Sequence, residues 1–223
     1  MNLGEIITAF RYKTEDQTTP YKWSDAEITY YTNQIIWELC EKCRLIKDSS
    51  TTAICQISVI ADTDLYTYDS RILEIEKPIR YGDDRIAIYP INRTEVFQYS
   101  QSWETVESGK PTHYMLDYES NKIRLYPIPT ENTTLYLTVY RAPSADLVST
   151  TLTGTPEIKA RYHYYLLEGI LYHAYQKDDD NTLDLEQSTR NYQKFQANIE
   201  DIMRIENKFY DLQTTVPMPT GYY

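Results

Sequence analysis

Glycine is scarce in this sequence, at 6 of 223 residues, so loops that cradle nucleotide phosphates are not expected. Cations are outnumbered as well: 22 Lys and Arg face 33 Asp and Glu, a formal charge of −11. Holding a phosphate backbone needs clustered Lys and Arg, and that balance argues against it. It does not argue against a surface that DNA slides past, because like charge discourages sticking. No apolar run approaches the roughly 20 residues needed to span a bilayer, so a membrane protein is not expected. The first ten residues are too short and too acidic for the apolar region of a secretion signal. There are only three cysteines, Cys40, Cys43 and Cys55. An odd count without such a signal points to synthesis in a reducing cytosol, where disulfides are not expected. No internal repeat at a solenoid period is found.

Tyrosine is abundant, at 23 residues. Its apolar ring and polar tip suit surfaces that are buried only on association. Codon bias toward low GC content accounts for the excess equally well. A chain of this length holds one domain with an appendage or two small ones, and it can bury a core without disulfides or metal.

The residue patterns that carry chemistry elsewhere are weak here. Cys40 and Cys43 form a CxxC, but zinc wants two further ligands at similar spacing, and only Cys55 is near. On a helix the two thiols simply share a face. Asp178, Asp180, Thr182, Asp184 and Glu186 alternate like the start of a calcium loop. Such a loop needs Gly at its sixth place and Glu at its twelfth, where this chain has Leu183 and Thr189. Acidic residues at the start of the following helix are the plainer reading. His163 and His173 are too far apart on one helix for one metal and read as packing residues. Asp117 and Glu119 near His113 read as the charged rim of a hairpin rather than an acid–base group. Catalytic, cofactor-binding and metal residues are therefore all expected to be absent.

The fold class expected is α+β, with a helical part from both chain ends and a central antiparallel β-rich part. Leu3, Ile6, Ile7 and Phe10 mark a short amphipathic helix. Ser24 to Glu27 forms a capping box, with Trp23 placed to staple onto Ile28, and its helix should reach about Leu45. Ala53–Ala61 is a β-branched run read as a strand, followed by strands at Leu65–Tyr68, around Leu73 and Ile75, and at Ile86–Tyr89. Pro90 to about Trp103 reads as a helix capped at Asn92, with Val96 and Phe97 as its apolar residues. Tyr114–Tyr118, Ile123–Tyr126 and Thr133–Arg141 alternate with period two and read as two successive hairpins. Pro156 should open a helix to about Lys177, apolar nearly all round and so requiring cover on most sides. A last helix, about Asp184 to Phe209, should fold back on it along Tyr192, Phe195, Ile199, Ile202 and Phe209. The Pro-bearing tail Asp211–Tyr223 reads as extended. The expected divisions are 1–50, 51–143, 144–210 and 211–223.

Three groups of residues, in this order, resemble a known family. They are Leu3–Phe10 with Trp23-Ser24-Asp25-Ala26-Glu27; Trp103, then Gly109-Lys110-Pro111-Thr112-His113-Tyr114, Ile123-Arg124-Leu125-Tyr126-Pro127-Ile128-Pro129 and Tyr140-Arg141-Ala142-Pro143; and the helical hairpin after Pro156. The pattern, from Leu3 to Phe209, resembles the head-to-tail adaptor, or connector, proteins of short-tailed bacteriophages, and proteins of other tailed phages share it, so it does not fix the tail type. The resemblance implies a virion structural protein, made in the host cytoplasm, that forms a dodecameric ring beneath the portal protein. It would contact a tail tube or nozzle protein and line a channel through which DNA leaves without specific binding. It implies no enzyme activity and no cofactor. The candidate contact residues between copies or with portal are Tyr164, Leu167, Leu171, Tyr175, Met218, Tyr222 and Tyr223. The alternative is a small carbohydrate- or ligand-binding β module with tyrosines as stacking platforms. A wall hydrolase would need paired carboxylates about 5 to 9.5 Å apart, which no spacing here suggests.

Overall fold

The computed structural model describes residues 1–99, 108–179 and 181–214, and in 97–99 and 209–214 it describes the backbone alone. The chain is α+β, with helices toward both ends and a central, mostly antiparallel sheet. It divides into two compact units: Met1–Ile46 together with the chain from Pro143 onward, and Lys47–Ala142.

The first unit is helical. Helix α1 (Leu3–Thr14) starts with Asn2 and Glu5 in a reciprocal capping box and buries Leu3, Ile6, Ile7 and Phe10. It ends at Glu15, which adopts the left-handed conformation that glycine usually supplies. Helix α2 (Asp25–Cys43) begins with the expected box, Ser24 Oγ accepting from the Glu27 N–H at 3.2 Å and Glu27 from the Ser24 N–H at 2.8 Å. It stops two residues short of Leu45 because Arg44 turns left-handed. The ring contacts of Trp23 are edge-on with Phe10 and Tyr175, and its indole N–H donates to the Ala174 carbonyl at 3.0 Å. The connector between α1 and α2 is gathered around the buried Arg11 guanidinium. It donates to Asp16, to Asp25 and to the Trp23 carbonyl, and it lies 3.5 Å from the centre of the Tyr21 ring.

The later helices depart from expectation at their starts and ends. Pro156 does not open a helix: the backbone is still extended at Lys159, a 3-10 helix follows at Ala160–Tyr165, and α5 spans only Leu166–Ala174. The Glu157 carboxylate accepts from both the N–H and the hydroxyl of Ser144, which ties the chain after Pro156 to the preceding loop. Helix α6 (Leu185–Thr214) is capped by Asp184, which accepts from the Gln187 N–H, and it folds back on α5. Phe195, Ile199 and Ile202 are buried, while Tyr192 is 41% exposed at the edge of the stripe. Asp211–Thr214, expected as extended tail, continue α6, since no helix breaker precedes Pro217.

Among its described residues the second unit holds ten short strands and two short helices. A three-stranded antiparallel sheet pairs β1 (Lys47–Asp48), β10 (Val139–Arg141) and β4 (Ile72–Ile75) in the order β1-β10-β4. The larger sheet runs β2-β9-β5-β6-β7-β8-β3, from β2 (Gln56–Val59), β9 (Thr133–Tyr136), β5 (Ile79–Tyr81), β6 (Ile86–Pro90), β7 (His113–Leu116), β8 (Lys122–Tyr126) and β3 (Leu65–Thr67). Its pairs are antiparallel except β6 with β7. Tyr81, Ile88, Tyr114, Ile123, Leu125, Leu135 and Val139 belong to one buried cluster.

Several strand expectations are corrected. The first part of Ala53–Ala61 is not extended. The Asp48 carboxylate accepts from the N–H groups of Ser50 and Thr51, and the turn that follows winds Thr52–Cys55 into helix α3. Of the two expected hairpins only β7–β8 forms. The segment after Pro127 pairs instead with residues 61 and 62: the Asp62 N–H donates to the Pro129 carbonyl, and the Ala61 N–H to Asn132 Oδ1. This delivers β9 to β2 and β5. The single strand Thr133–Arg141 is two, β9 and β10, in different sheets. Strand β5 was not anticipated. A bulge opposite Tyr140 and Arg141 makes Ile72 and Ile75 the buried residues of β4, in place of Leu73 and Ile75. Helix α4 (Arg93–Tyr99) has the expected Asn92 cap, reciprocated by Glu95. Val96 packs with Met115 and against Tyr118 and Tyr126, whereas Trp103 and the Phe97 side chain lie outside the described residues.

Candidate functional site

Groups with chemical potential are mostly committed to packing. Cys40, Cys43 and Cys55 are buried. Burial pushes the Cys43 thiol up to about 11. Burial, with the Asp48 carboxylate second, does the same for Cys55. Among the described residues no three His, Cys, Asp or Glu side chains gather closely enough to hold a metal ion. In the acidic run before α6, Thr182 donates to the Lys177 carbonyl, Asp179 accepts from the Asn181 N–H, and Asp184 caps the helix; Asp180 lies outside the described residues.

His163 is buried, with Nε2 bonded to the Ile158 carbonyl at 2.9 Å and Nδ1 to the Met1 amine at 2.8 Å. His173 stacks on Tyr31 with ring centres 5.9 Å apart, and burial holds its pKa below the ordinary value. On the hairpin, His113 Nδ1 bonds to the Thr112 hydroxyl, Asp117 accepts from the Tyr68 hydroxyl at 2.5 Å, and Glu119 pairs with Lys122. Burial and Asp117 together push the Tyr68 hydroxyl up to about 12. These three do not converge on one another.

The expected contact residues separate. Tyr164 is 58% exposed, with the Lys13 ammonium over its ring at 5.5 Å. Leu167 and Leu171 are 1% and 4% exposed, covered inside their own helical unit. They have no surface to offer another chain, which corrects their nomination. Tyr175 is half-buried against Trp23. Met218, Tyr222 and Tyr223 lie outside the described residues. The apolar character of α5 is satisfied within the unit, by α1, α2 and α6. Its approach to α2 is so close that a Cβ added at Gly169 would lie 2.6 Å from Ile35 Cδ1.

The aromatic surface of this unit lies elsewhere. Tyr12, Tyr21, Tyr30 and Trp37 are exposed on α1, α2 and their connector. Tyr30 and Trp37 are seven residues apart on α2, off its buried stripe of Ile28, Ile35 and Leu39, and that offset was visible in the periodicity. Beside Trp37 lies a cleft of about 380 Å³ between α2 and the loop 143–157. Its polar groups are occupied in holding that loop. The Asn33 amide donates to the Leu147 carbonyl and accepts from the Leu147 N–H, both at 2.9 Å, and Trp37 Nε1 reaches Asp146 at 3.4 Å. No set of idle polar groups converges on a small ligand there.

The described residues present an exposed aromatic surface on the helical unit. Among the described residues no helix is long and apolar enough to cross a membrane. No curated protein matches the chain. A family model described as SU10 adaptor protein matches residues 1–218, nearly the whole length. The chain belongs to the SU10 adaptor protein family, and it is a structural adaptor protein of a bacteriophage.

Proposed function

We propose that this adaptor forms a ring of roughly twelve copies beneath the portal protein at the head–tail junction of the virion. The ring joins portal to a tail tube or nozzle protein, lines the channel by which DNA leaves, and catalyses nothing. The observation that carries this reading is the adaptor family match over residues 1–218. The net charge of −11 supports it, because a conduit wall must let a polyanion pass without holding it. So do the exposed aromatics of the helical unit, which suit surfaces covered on assembly. Tyr164 is the residue of α5's approach that such contacts would use, with Tyr175 contributing its exposed edge.

An averaged map of the intact virion tests the reading. The expected result is a closed ring of this chain between portal and tail, with an open axial channel. Finding the chain in the capsid shell or along the tail, or in no ring, overturns it. Residues Met218, Tyr222 and Tyr223 belong to a segment proposed to dock on portal. Deleting residues 215–223 is expected to weaken attachment to portal and leave the unfolding midpoint unchanged, because among the described side chains of α6 the last fully buried one is Ile202. Normal occupancy of the portal-bound position by the truncated chain removes that segment from the mechanism.

A further inference from the structure

In a chain with 33 acids and 22 bases, a carboxylate is within reach of almost any cation. Many cations take one: Lys13 pairs with Glu168, Lys47 with Glu76, Arg124 with Asp64, Arg141 with Asp48 and Lys159 with Glu206. The hairpin of β5 and β6 departs from this. Lys77, Arg80 and Arg85 lie on or beside it, all three exposed. Among the described residues none of the three has a carboxylate partner.

Two of these cations are organised on one face. The register sets Arg80 between Tyr136 of β9 and Ala87 of β6, with Gln56 of β2 completing the row. The Arg85 guanidinium lies over the Tyr136 ring, 4.3 Å from its centre. A guanidinium stacked on an aromatic face keeps its in-plane N–H donors available, and these match a carboxylate in two parallel bonds. Tyr89, 57% exposed and two residues beyond Ala87, extends the face. Further across the sheet the same face is roofed by α4, through Val96 on Met115. One part of this sheet face is thus covered, and another part, with Arg80, Arg85, Ala87 and Tyr89, is exposed among the described residues.

We propose that this part of the face, formed by Arg80, Arg85, Tyr136, Ala87 and Tyr89, is where a second copy of the chain docks and presents carboxylates to the two guanidinium groups. The inference rests on the ring reading and identifies one side of the seam between copies. Copies that each carry −11 repel one another, so a seam needs cations, and these are cations with no carboxylate partner among the described residues. Duplex DNA is the weaker candidate. It carries a charge every ~1.7 Å, and a few cations next to Asp83 and Asp84 in the turn cannot neutralise it.

The test uses Arg80→Lys in the full chain. Isotope-light and isotope-heavy copies are mixed, assembled on head particles lacking the adaptor, and treated with a carbodiimide, which joins an amine to a carboxylate it touches. The expected product is a light–heavy peptide pair linking position 80 to an Asp or Glu. Links confined to one copy, links to another virion protein, ultraviolet links to DNA in their place, or no link at all each overturn the proposal. In a second arm, Arg80→Glu with Arg85→Glu is expected to lower adaptor copies per particle at least about tenfold, with an unchanged far-ultraviolet spectrum. Undiminished occupancy also overturns it. Averaged images of the same particles separate the two readings. A ring without links from position 80 removes this surface and leaves the ring, and links between copies that form no ring do the reverse.

Discussion

Scarce glycine has a cost at single residues. Among the described residues six other than glycine hold a positive φ: Glu15, Arg44, Asp62, Arg85, Asp117 and Asn121. At Glu15 the backbone ends α1, and its exposed side chain does not shape the turn. Glu15→Gly removes the Cβ strain of the left-handed conformation and is expected to stabilise the chain by up to about 1 kcal/mol in urea unfolding. Loss of stability would show that the Glu15 side chain does more than occupy the position.

Asp48 is the opposite kind of residue, buried and heavily bonded. Burial alone would raise its pKa. The Ser50 N–H, the Thr51 hydroxyl, the Arg141 guanidinium and the Thr51 N–H outweigh that and hold it well below the usual carboxylate range. A folded-state pKa depressed in this way adds stability that is present above the unfolded value, near ~3.9, and is lost as pH falls through the folded value. Asp48→Asn, which removes the buried carboxylate that accepts from Arg141 Nε, is expected to cost about 3–5 kcal/mol at neutral pH. The gap between wild type and variant should narrow below about pH 4 in stability measurements, because protonation removes the same charge from the wild type. A gap independent of pH would mean that the Asp48 charge is not what is lost.

At the scale of elements, α5 shows how an apolar helix is covered without help from another chain. It packs against α1, α2 and α6, and Gly169 lets α2 approach until Ile35 fills the place of a side chain. Ala is the better helix former by about 1 kcal/mol, yet its methyl would overpack a site that is already full, at a cost of about 1–3 kcal/mol. Gly169→Ala is therefore expected to destabilise by about 1 kcal/mol net. Ile35→Val removes the Cδ1 that would be struck at 2.6 Å, so the penalty should shrink by more than about 0.5 kcal/mol in that background. Strict additivity of the two changes would argue against the contact. Farther along α6, Lys159 and the Tyr162 hydroxyl both reach Glu206 at 2.5 Å, one turn beyond the buried Ile202.

For the whole molecule, charge sets behaviour in assembly. A chain with a sequence pI near 4.8 should not retain duplex DNA at about 0.15 M salt, and a mobility-shift assay with the full-length chain reads this directly. Retention that weakens steeply with added salt would contradict a conduit wall. The two units also divide the tyrosines differently from what composition suggested. Tyr81, Tyr114 and Tyr162 are deep core residues, while Tyr12, Tyr30 and Tyr164 are surface. An excess of one residue type does not by itself mark an interface.

Much of the local structure was legible beforehand because its causes are short-range. The boxes at Ser24 and Asn92 are closed by residues three apart, and the alternation of Ile123 and Leu125 with Arg124 and Tyr126 needs only a strand's pleat. The adaptor resemblance was equally readable, from motif order along the chain. Tertiary contacts decided the rest. Period-two alternation through Leu135, Leu137 and Val139 says that a strand is half-buried, and it cannot say that β9 joins β2 and β5 while β10 joins another sheet. The stretch after Pro156 reads as helix all along, yet the Glu157 bonds to Ser144 delay its start. Leu167 and Tyr164 look alike as apolar helix positions, and only the packing of three other helices makes one core and the other surface. Burial and strand partnership are settled by residues distant in sequence, and no local pattern records their positions.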